Sequence, residues 1–343
     1  MIIRSKAPLR LGLAGGGTDV SPYSDLYGGL VLNATISLHA YCTIEETDAP
    51  HITIHSDDAH FAGTYPVAGR LPLDGNAMLV KGVYNRVMRD FGLNPVPFRI
   101  TTFNDAPAGS GLGTSSTMVV CILKAFAEWY SLPLGDYELA RLAYEIERID
   151  LGLSGGKQDQ YAAAFGGFNY MEFLKNDMVI VNPLKMKRWI TDELEGSMLL
   201  YFTGVSRESA TIIDEQRKNA KGGNETAIEA MHRIKQSAID TKQALLRGDI
   251  DGFARVLRDG WENKKKMAAH ISNPDIDMAM DVAMRHGAKA GKVSGAGGGG
   301  FIMFVVEPTR RKEVEKALKT LGGFVMPFQF TDGGVHGWKI FNS

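Results

Sequence analysis

The residues with chemistry to offer lie in four glycine-rich stretches. The first reads Pro107-Ala-Gly-Ser-Gly-Leu-Gly-Thr-Ser-Ser-Thr117. Glycine at 109, 111 and 113 removes three Cβ atoms, so successive backbone N–H groups can turn toward one concavity. Ser110 and Leu112 alternate with the glycines, and Thr114, Ser115 and Ser116 open a helical pattern. Unpaired amides and the dipole at such a helix start favour an anion. The three hydroxyls could hold phosphate oxygens or a Mg²⁺ ion, or cap the helix in the ordinary way.

The second stretch is Ala7-Pro-Leu-Arg-Leu-Gly-Leu-Ala-Gly-Gly-Gly-Thr-Asp19. A strand carrying Arg10 runs into Gly15, Gly16 and Gly17, where a ligand can approach the backbone, and then into Thr18 and Asp19. A carboxylate at that rim can accept protons from two sugar hydroxyls, or it can close a tight turn. The third places Glu147-Arg148 ahead of Gly152-Leu-Ser-Gly-Gly-Lys-Gln-Asp159. Two carboxylates there could divide metal binding and nucleophile activation, or serve as a solvated helix charge and a helix cap. The fourth is Lys292-Val-Ser-Gly-Ala-Gly-Gly-Gly-Gly300. Its literal GxGxxG is followed by Phe301-Ile-Met-Phe-Val-Val306, a strand pattern, so the helix start of a dinucleotide turn is missing. Asp90-Phe91-Gly92 has no accompanying protein-kinase motifs, and no GxxxxGK[ST] occurs.

These stretches must be positioned by a chain that is 44% hydrophobic and 22% charged, the balance of a globular protein. Its 39 glycines in 343 residues exceed the usual share of roughly 7%. A net charge of −1 supplies no dense cationic surface for nucleic acid or anionic membrane. No apolar run reaches the roughly 20 residues of a membrane span, and residues 1–6 show no signal-peptide core, so a cytoplasmic protein is expected. Cys42 and Cys121 stand apart without a CxxC pair and read as buried free thiols. Patterning predicts strands over 2–13, 30–46, 51–55 and 98–103, with helices over 77–91, 114–130 and 137–149 and a hairpin near 168–181. A basic linker is expected at 183–189. Beyond it come a strand at 198–202, helices over 210–218, 225–246, 253–267 and 275–286, and a strand–helix–strand ending at 300–306, 310–321 and 324–330. The second half thus reads as helices on an antiparallel sheet.

The stretches, in this order, resemble the GHMP kinases, the family of galactokinase, homoserine, mevalonate and phosphomevalonate kinases. The most specific part is residues 107–117, and the likeness spans nearly the whole chain. Residues 10–19 (RLGLAGGGTD), 32–38 (LNATISL) and 155–167 (GGKQDQYAAAFGG) are similar to the branch that phosphorylates a heptose 7-phosphate, with fucokinase-like enzymes as the rival. The resemblance implies an α+β, two-domain fold. Residues 1–185 would form a mixed α/β domain with a left-handed β-α-β unit, and residues 186–343 a ferredoxin-like domain. It implies transfer of the γ-phosphoryl group of ATP to a sugar phosphate, at its anomeric hydroxyl, with Mg²⁺; the oligomeric state stays open. Asp159 would be the catalytic carboxylate, with Arg10 beside it. Pro107 and Gly109 through Ser116 would wrap the ATP phosphates, and Ser115 and Glu147 would hold the metal. Gly16, Gly17, Thr18, Asp19, Gly297 and Gly298 would face the sugar, the Gly-Glu-His-Thr-Asp of galactokinases having become Gly15–Asp19 with two polar side chains fewer. Lys157 is the first candidate for the substrate's own phosphate, with Arg207 and Lys6 behind it. A decarboxylase of this fold, or a silent ATP-binding member, are the other readings.

Overall fold

The computed structural model describes residues 1–204 and 209–341. The first half of the chain runs β1 (Ile2–Ala14), α1 (Tyr23–Tyr27), β2 (Gly29–Glu46), β3 (His51–Ser56), β4 (Phe61–Pro66), α2 (Met78–Phe91), β5 (Phe98–Asn104), α3 (Thr114–Tyr130), α4 (Asp136–Glu145), a π turn (Ile146–Asp150), α5 (Gln158–Phe165), β6 (Phe168–Phe173) and β7 (Val179–Pro183). The second runs α6 (Arg188–Ser197), β8 (Met198–Phe202), α7 (Ser209–Lys221), α8 (Glu225–Arg247), α9 (Ile250–Lys264), α10 (Pro274–Arg285), β9 (Ala288–Val293), β10 (Phe301–Val306), α11 (Arg311–Lys319), β11 (Phe324–Met326) and β12 (His336–Ile340).

Two sheets carry the fold. The larger has the order β12-β1-β2-β5-β3-β4, with the hairpin of β6 and β7 attached to β2. Within it β3 and β5 are parallel, joined through β4 and α2. The smaller has the order β11-β8-β10-β9, all antiparallel. Its connections, helices between β8 and β9, a direct link from β9 to β10, and α11 before β11, are those of a ferredoxin-like unit. The predicted basic linker proves instead to be the approach to α6, whose Ile190 and Leu194 are buried. β9 escaped the pattern because Ala288-Lys-Ala-Gly-Lys-Val293 has little β-branched character; small residues are demanded there, since a Cβ on Gly291 would sit 2.5 Å from Met280 Sδ.

The site depends on β1. From Ala7 to Ala14 every residue is buried, because both faces are covered. Leu9, Leu11 and Leu13 share one apolar cluster with Leu194, Leu200, Phe253, Leu257 and Phe301 of the second half. That cluster crosses residue 185, and β12 crosses it again by pairing with β1. The β1–β2 ladder shifts register between Pro8 and Arg10 and again between Gly12 and Ala14, so irregular pairing flanks the Arg10 segment. Behind β1, α3 buries Met118, Ile122, Phe126 and Trp129 along one stripe, as its spacing predicts.

Candidate active site

The four glycine-rich stretches converge on one cleft of about 330 Å³ between the two sheets. At its centre Arg10 Nε and Nη2 donate to the two oxygens of Asp159, at 2.7 and 2.9 Å. Its Nη1 donates to Gly111 O at 2.6 Å, so one buried guanidinium ties the catalytic candidate to the glycine loop. This planar two-point grip is specific to arginine. Asp159 stands in the first turn of α5, partly open to the cleft.

The glycine loop leads into α3 with no side-chain cap. Gly109, Gly111 and Gly113 all have positive φ, at +70°, +78° and +79°, so the alternation is required by the backbone. Of the alternatives open to these hydroxyls, ordinary capping does not occur. Ser115 Oγ donates instead to Glu147 Oε1 (2.8 Å), and Ser116 Oγ accepts from Arg148 Nη2 and Gln160 Nε2, both at 3.1 Å. The first amides of α3 are left facing the cleft, a cradle suited to a polyphosphate. From the other side the 294–300 loop closes on it. Ser294 Oγ donates to Gly111 O (2.8 Å), Phe301 N to Ser110 O (2.9 Å), and a Cβ on Gly111 would lie 2.5 Å from Ser294 O.

Glu147 sits on the π turn, a distortion common at functional sites. It is 1% exposed and no solvated charge. Besides Ser115 it accepts from Gln160 Nε2 (2.7 Å) and pairs with Arg148 (3.1 Å). Asp19 is fully buried, and burial pushes its carboxyl above the usual range, with the nearby Asp159 adding to the rise against opposing backbone hydrogen bonds. Lys264 and Lys292 complete the charged lining. Burial lowers the Lys264 amine to about 7, helped by Arg10, and lowers Lys292 strongly, helped by Lys264 and Arg10.

Several predicted residues stand elsewhere. Gly16, Gly17, Asp19, Gly109, Gly111, Gly113, Thr114, Ser115, Ser116, Glu147, Arg10 and Asp159 line the cleft. Pro107, Ser110 and Leu112 do not; they serve the loop through their carbonyls, Leu112 O accepting from Arg10 N (3.1 Å). Thr18 is a buried latch: its Oγ1 accepts from Leu30 N (3.1 Å) and shares its one proton between Gly15 O and Leu30 O. Gly297 and Gly298 pack under the loop against Ile271, and it is Gly295 and Ala296 that face the cleft. Lys157 is the main correction. Its ammonium is buried against Asp177 and over the Tyr144 ring, turned from the cleft because the β6–β7 turn supplies the partner. Lys6 lies on β1 opposite His336 and Tyr41, outside the cleft. Arg207 lies outside the described residues. Sequence reading missed Arg148, Gln158, Gln216 and Lys264 as lining residues. Arg148 was flagged by its neighbour Glu147, but nothing separated Lys264 from Lys265 and Lys266 beside it.

A glycine cradle at an uncapped helix start, facing a carboxylate held by a guanidinium, defines a phosphotransferase built without a P-loop. Sequence models of the GHMP kinase N-terminal domain and of the GHMP kinase C-terminal domain match residues 78–167 and 241–322. The chain is 50% identical, over 98% of its length and 99% of the relative's, to D-glycero-alpha-D-manno-heptose 7-phosphate kinase of Campylobacter jejuni. It superposes with a TM-score of 0.86 on the crystal structure of a D-glycero-D-manno-heptose 1-phosphate kinase from Bacteriodes thetaiotaomicron, 67% identical, covering 99% of this chain and 100% of that one. The L-fucokinase/L-fucose-1-P guanylyltransferase of Bacteroides fragilis is 27% identical over 92% of this chain, which spans 36% of that longer protein. The chain belongs to the GHMP kinase family and is a kinase with an alcohol group as acceptor. Membership implies ATP as the phosphoryl donor.

Proposed function

We propose that this kinase transfers the γ-phosphoryl group of ATP to the anomeric hydroxyl of D-glycero-D-manno-heptose 7-phosphate, giving the 1,7-bisphosphate. The observation that carries the chemistry is the Arg10–Asp159 pair in the same cleft as the uncapped start of α3. The sugar rests on the likeness over the whole chain to two heptose kinases, whose names share the sugar and differ in the phosphate position, 7 and 1. On this reading position 7 is already phosphorylated and position 1 receives the group.

Asp159 accepts the anomeric proton as the oxygen attacks, and Arg10 fixes its orientation and offsets charge on the transferred group. A sugar's anomeric hydroxyl is more acidic than its other hydroxyls, so a carboxylate is base enough. The amides of the 109–116 loop take the charge of the leaving ADP. Ser115 and Glu147 are adjacent hard-oxygen donors lining the cleft, which suits Mg²⁺, an ion that takes one or two protein oxygens beside phosphate. When bound, the ion would neutralise charge on the polyphosphate. The substrate's own phosphate needs a cation that Lys157 cannot give. Lys264 lines the cleft with no carboxylate in ion-pair distance among the described residues, and as an ammonium donating one proton to Gly295 O it keeps two for the phosphate. A cytoplasmic location accords with a reaction that consumes ATP.

A panel of heptose 7-phosphate, L-fucose and galactose, read by ADP release, tests the assignment. Turnover of the heptose phosphate at least a hundredfold above the other two is expected. Preference for unphosphorylated fucose would overturn it.

A further inference from the structure

We propose that Gln216 of α7 is a specificity-determining residue whose side-chain amide hydrogen-bonds a hydroxyl of the acceptor sugar. This rests on the reading of the cleft as a sugar kinase site and adds a contact from the second half of the chain. Gln216 is 4% exposed and lines the cleft. Its amide offers two donor hydrogens and one acceptor oxygen, and none of them meets a hydrogen-bond partner among the described residues. Three polar neighbours on the same helix are engaged. Asp214 accepts from Ser154 Oγ (2.7 Å), Glu215 Oε1 accepts from Ala269 N (2.9 Å), and Asn219 Nδ2 donates to Met267 O (2.9 Å). An amide buried to this degree without a partner is costly. On the wall of a cleft, its partner is found in what the cleft binds.

The placement follows from the helix and from glycine. Ala210, Ile213 and Gln216 recur at three-residue spacing, so one face of α7 supplies all three to the cleft. The contacts of Asp214, Glu215 and Asn219 hold the helix to the loop before α5 and to the turn after α9. A Cβ on Gly17 would lie 2.8 Å from Met267 Cε and 3.6 Å from Gln216 Oε1, so glycine lets the amide come up to this turn. Gly15, Gly16 and Gly17 bring no side chains, and a polar side chain facing them has to come from another element. The turn belongs to the acceptor's end of the cleft. Asp19, two residues beyond Gly17, accepts from Lys157 N and Gln158 N, and Asp159, the base that meets the acceptor hydroxyl, follows at once. A sugar hydroxyl both donates and accepts, so it can serve either end of the amide. A phosphate oxygen only accepts and would leave Oε1 without a donor.

Gln216→Leu tests this, because it removes the amide at similar volume and keeps a good helix former. A sugar hydroxyl left buried without its partner should raise KM for heptose 7-phosphate at least about fivefold, with KM for ATP within about twofold. The thermal midpoint of the sugar-free protein should stay level or rise, since the lost amide had no partner there. A smaller rise in KM for the sugar would overturn the proposal. So would a midpoint lowered by more than about 3 °C, which would make the amide part of the packing. For the heptose without its 7-phosphate, kcat/KM should fall by the same factor as for the phosphorylated sugar. A loss confined to the phosphorylated sugar would give Gln216 to the phosphate and overturn the hydroxyl assignment. If the sugar panel names another acceptor, the same comparison made with that sugar decides Gln216, so the heptose assignment and this contact fail separately.

Discussion

Replacing Arg10 by lysine separates charge from geometry at the centre of the site. Arg10 makes three hydrogen bonds at 2.9 Å or less, two to Asp159 and one to Gly111 O. A lysine ammonium keeps the charge, but its single nitrogen cannot span both carboxylate oxygens and also reach the loop. At least one charge-assisted bond is lost, worth about 1.5–3 kcal/mol. If that bond sets the orientation of Asp159 in the transition state, kcat falls by roughly 10- to 150-fold. Arg10→Met, which removes the charge as well, should fall further. The assay is ADP release at saturating ATP and sugar phosphate, with both KM values and the thermal midpoint measured alongside. The account expects the loss in kcat, with KM for either substrate changed less than threefold, since the interaction is one that matters as charge develops. An Arg10→Lys enzyme within threefold of wild-type kcat would refute the argument that the fork positions the base.

Three further outcomes follow from the same geometry. Lys264→Met should raise KM for the sugar phosphate about tenfold with KM for ATP little changed, and it should also alter the pH dependence of stability. With its amine lowered from 10.5 to about 7 by burial, the unfolded chain binds one more proton than the folded one between those values, so wild-type stability gains from this group as pH rises from about 7 toward 10.5. Urea titrations at pH 7 and pH 9.5 should therefore show the variant's relative advantage shrinking at the higher pH; a constant difference would contradict the burial argument. Lys157→Met should leave KM for heptose 7-phosphate within twofold and lower the thermal midpoint, because its ammonium serves Asp177; a tenfold rise in KM would return Lys157 to the substrate. Gly111→Ala should lower the midpoint by several degrees and raise KM for ATP severalfold, since the Cβ meets Ser294 O at 2.5 Å in a left-handed conformation; an unchanged midpoint would deny the seam between the two loops.

What the sequence disclosed and what it hid divide along physical lines. Glycines at alternate positions before a helix have one economical use, and Gly109, Gly111 and Gly113 adopt the backbone that their type implies. Arg10 and Asp159 could be paired only through the family resemblance, being 149 positions apart. Hydrophobic spacing located α3, whose stripe is continuous, but not β9, whose small residues answer to Met280 and Phe304 pressing on Gly291. β12 stayed hidden because its pairing with β1 joins the two ends of the chain. Lys157 misled for the same reason: its position two residues before Asp159 suggested the reaction centre, while Asp177, across a hairpin, decided where its ammonium went. Asp19 was found as a site residue by type, but its hydrogen bonds to Lys157 and Gln158, far along the chain, could not be read from spacing.

The most direct measurement is a ³¹P NMR spectrum of the enzyme with ATP, Mg²⁺ and heptose 7-phosphate. Asp159 and Arg10 acting at the anomeric hydroxyl should produce a new phosphomonoester signal split by the anomeric proton, growing with ADP in a one-to-one ratio while the 7-phosphate signal persists. Inorganic phosphate as the product, or a new ester on any other carbon, would contradict the account.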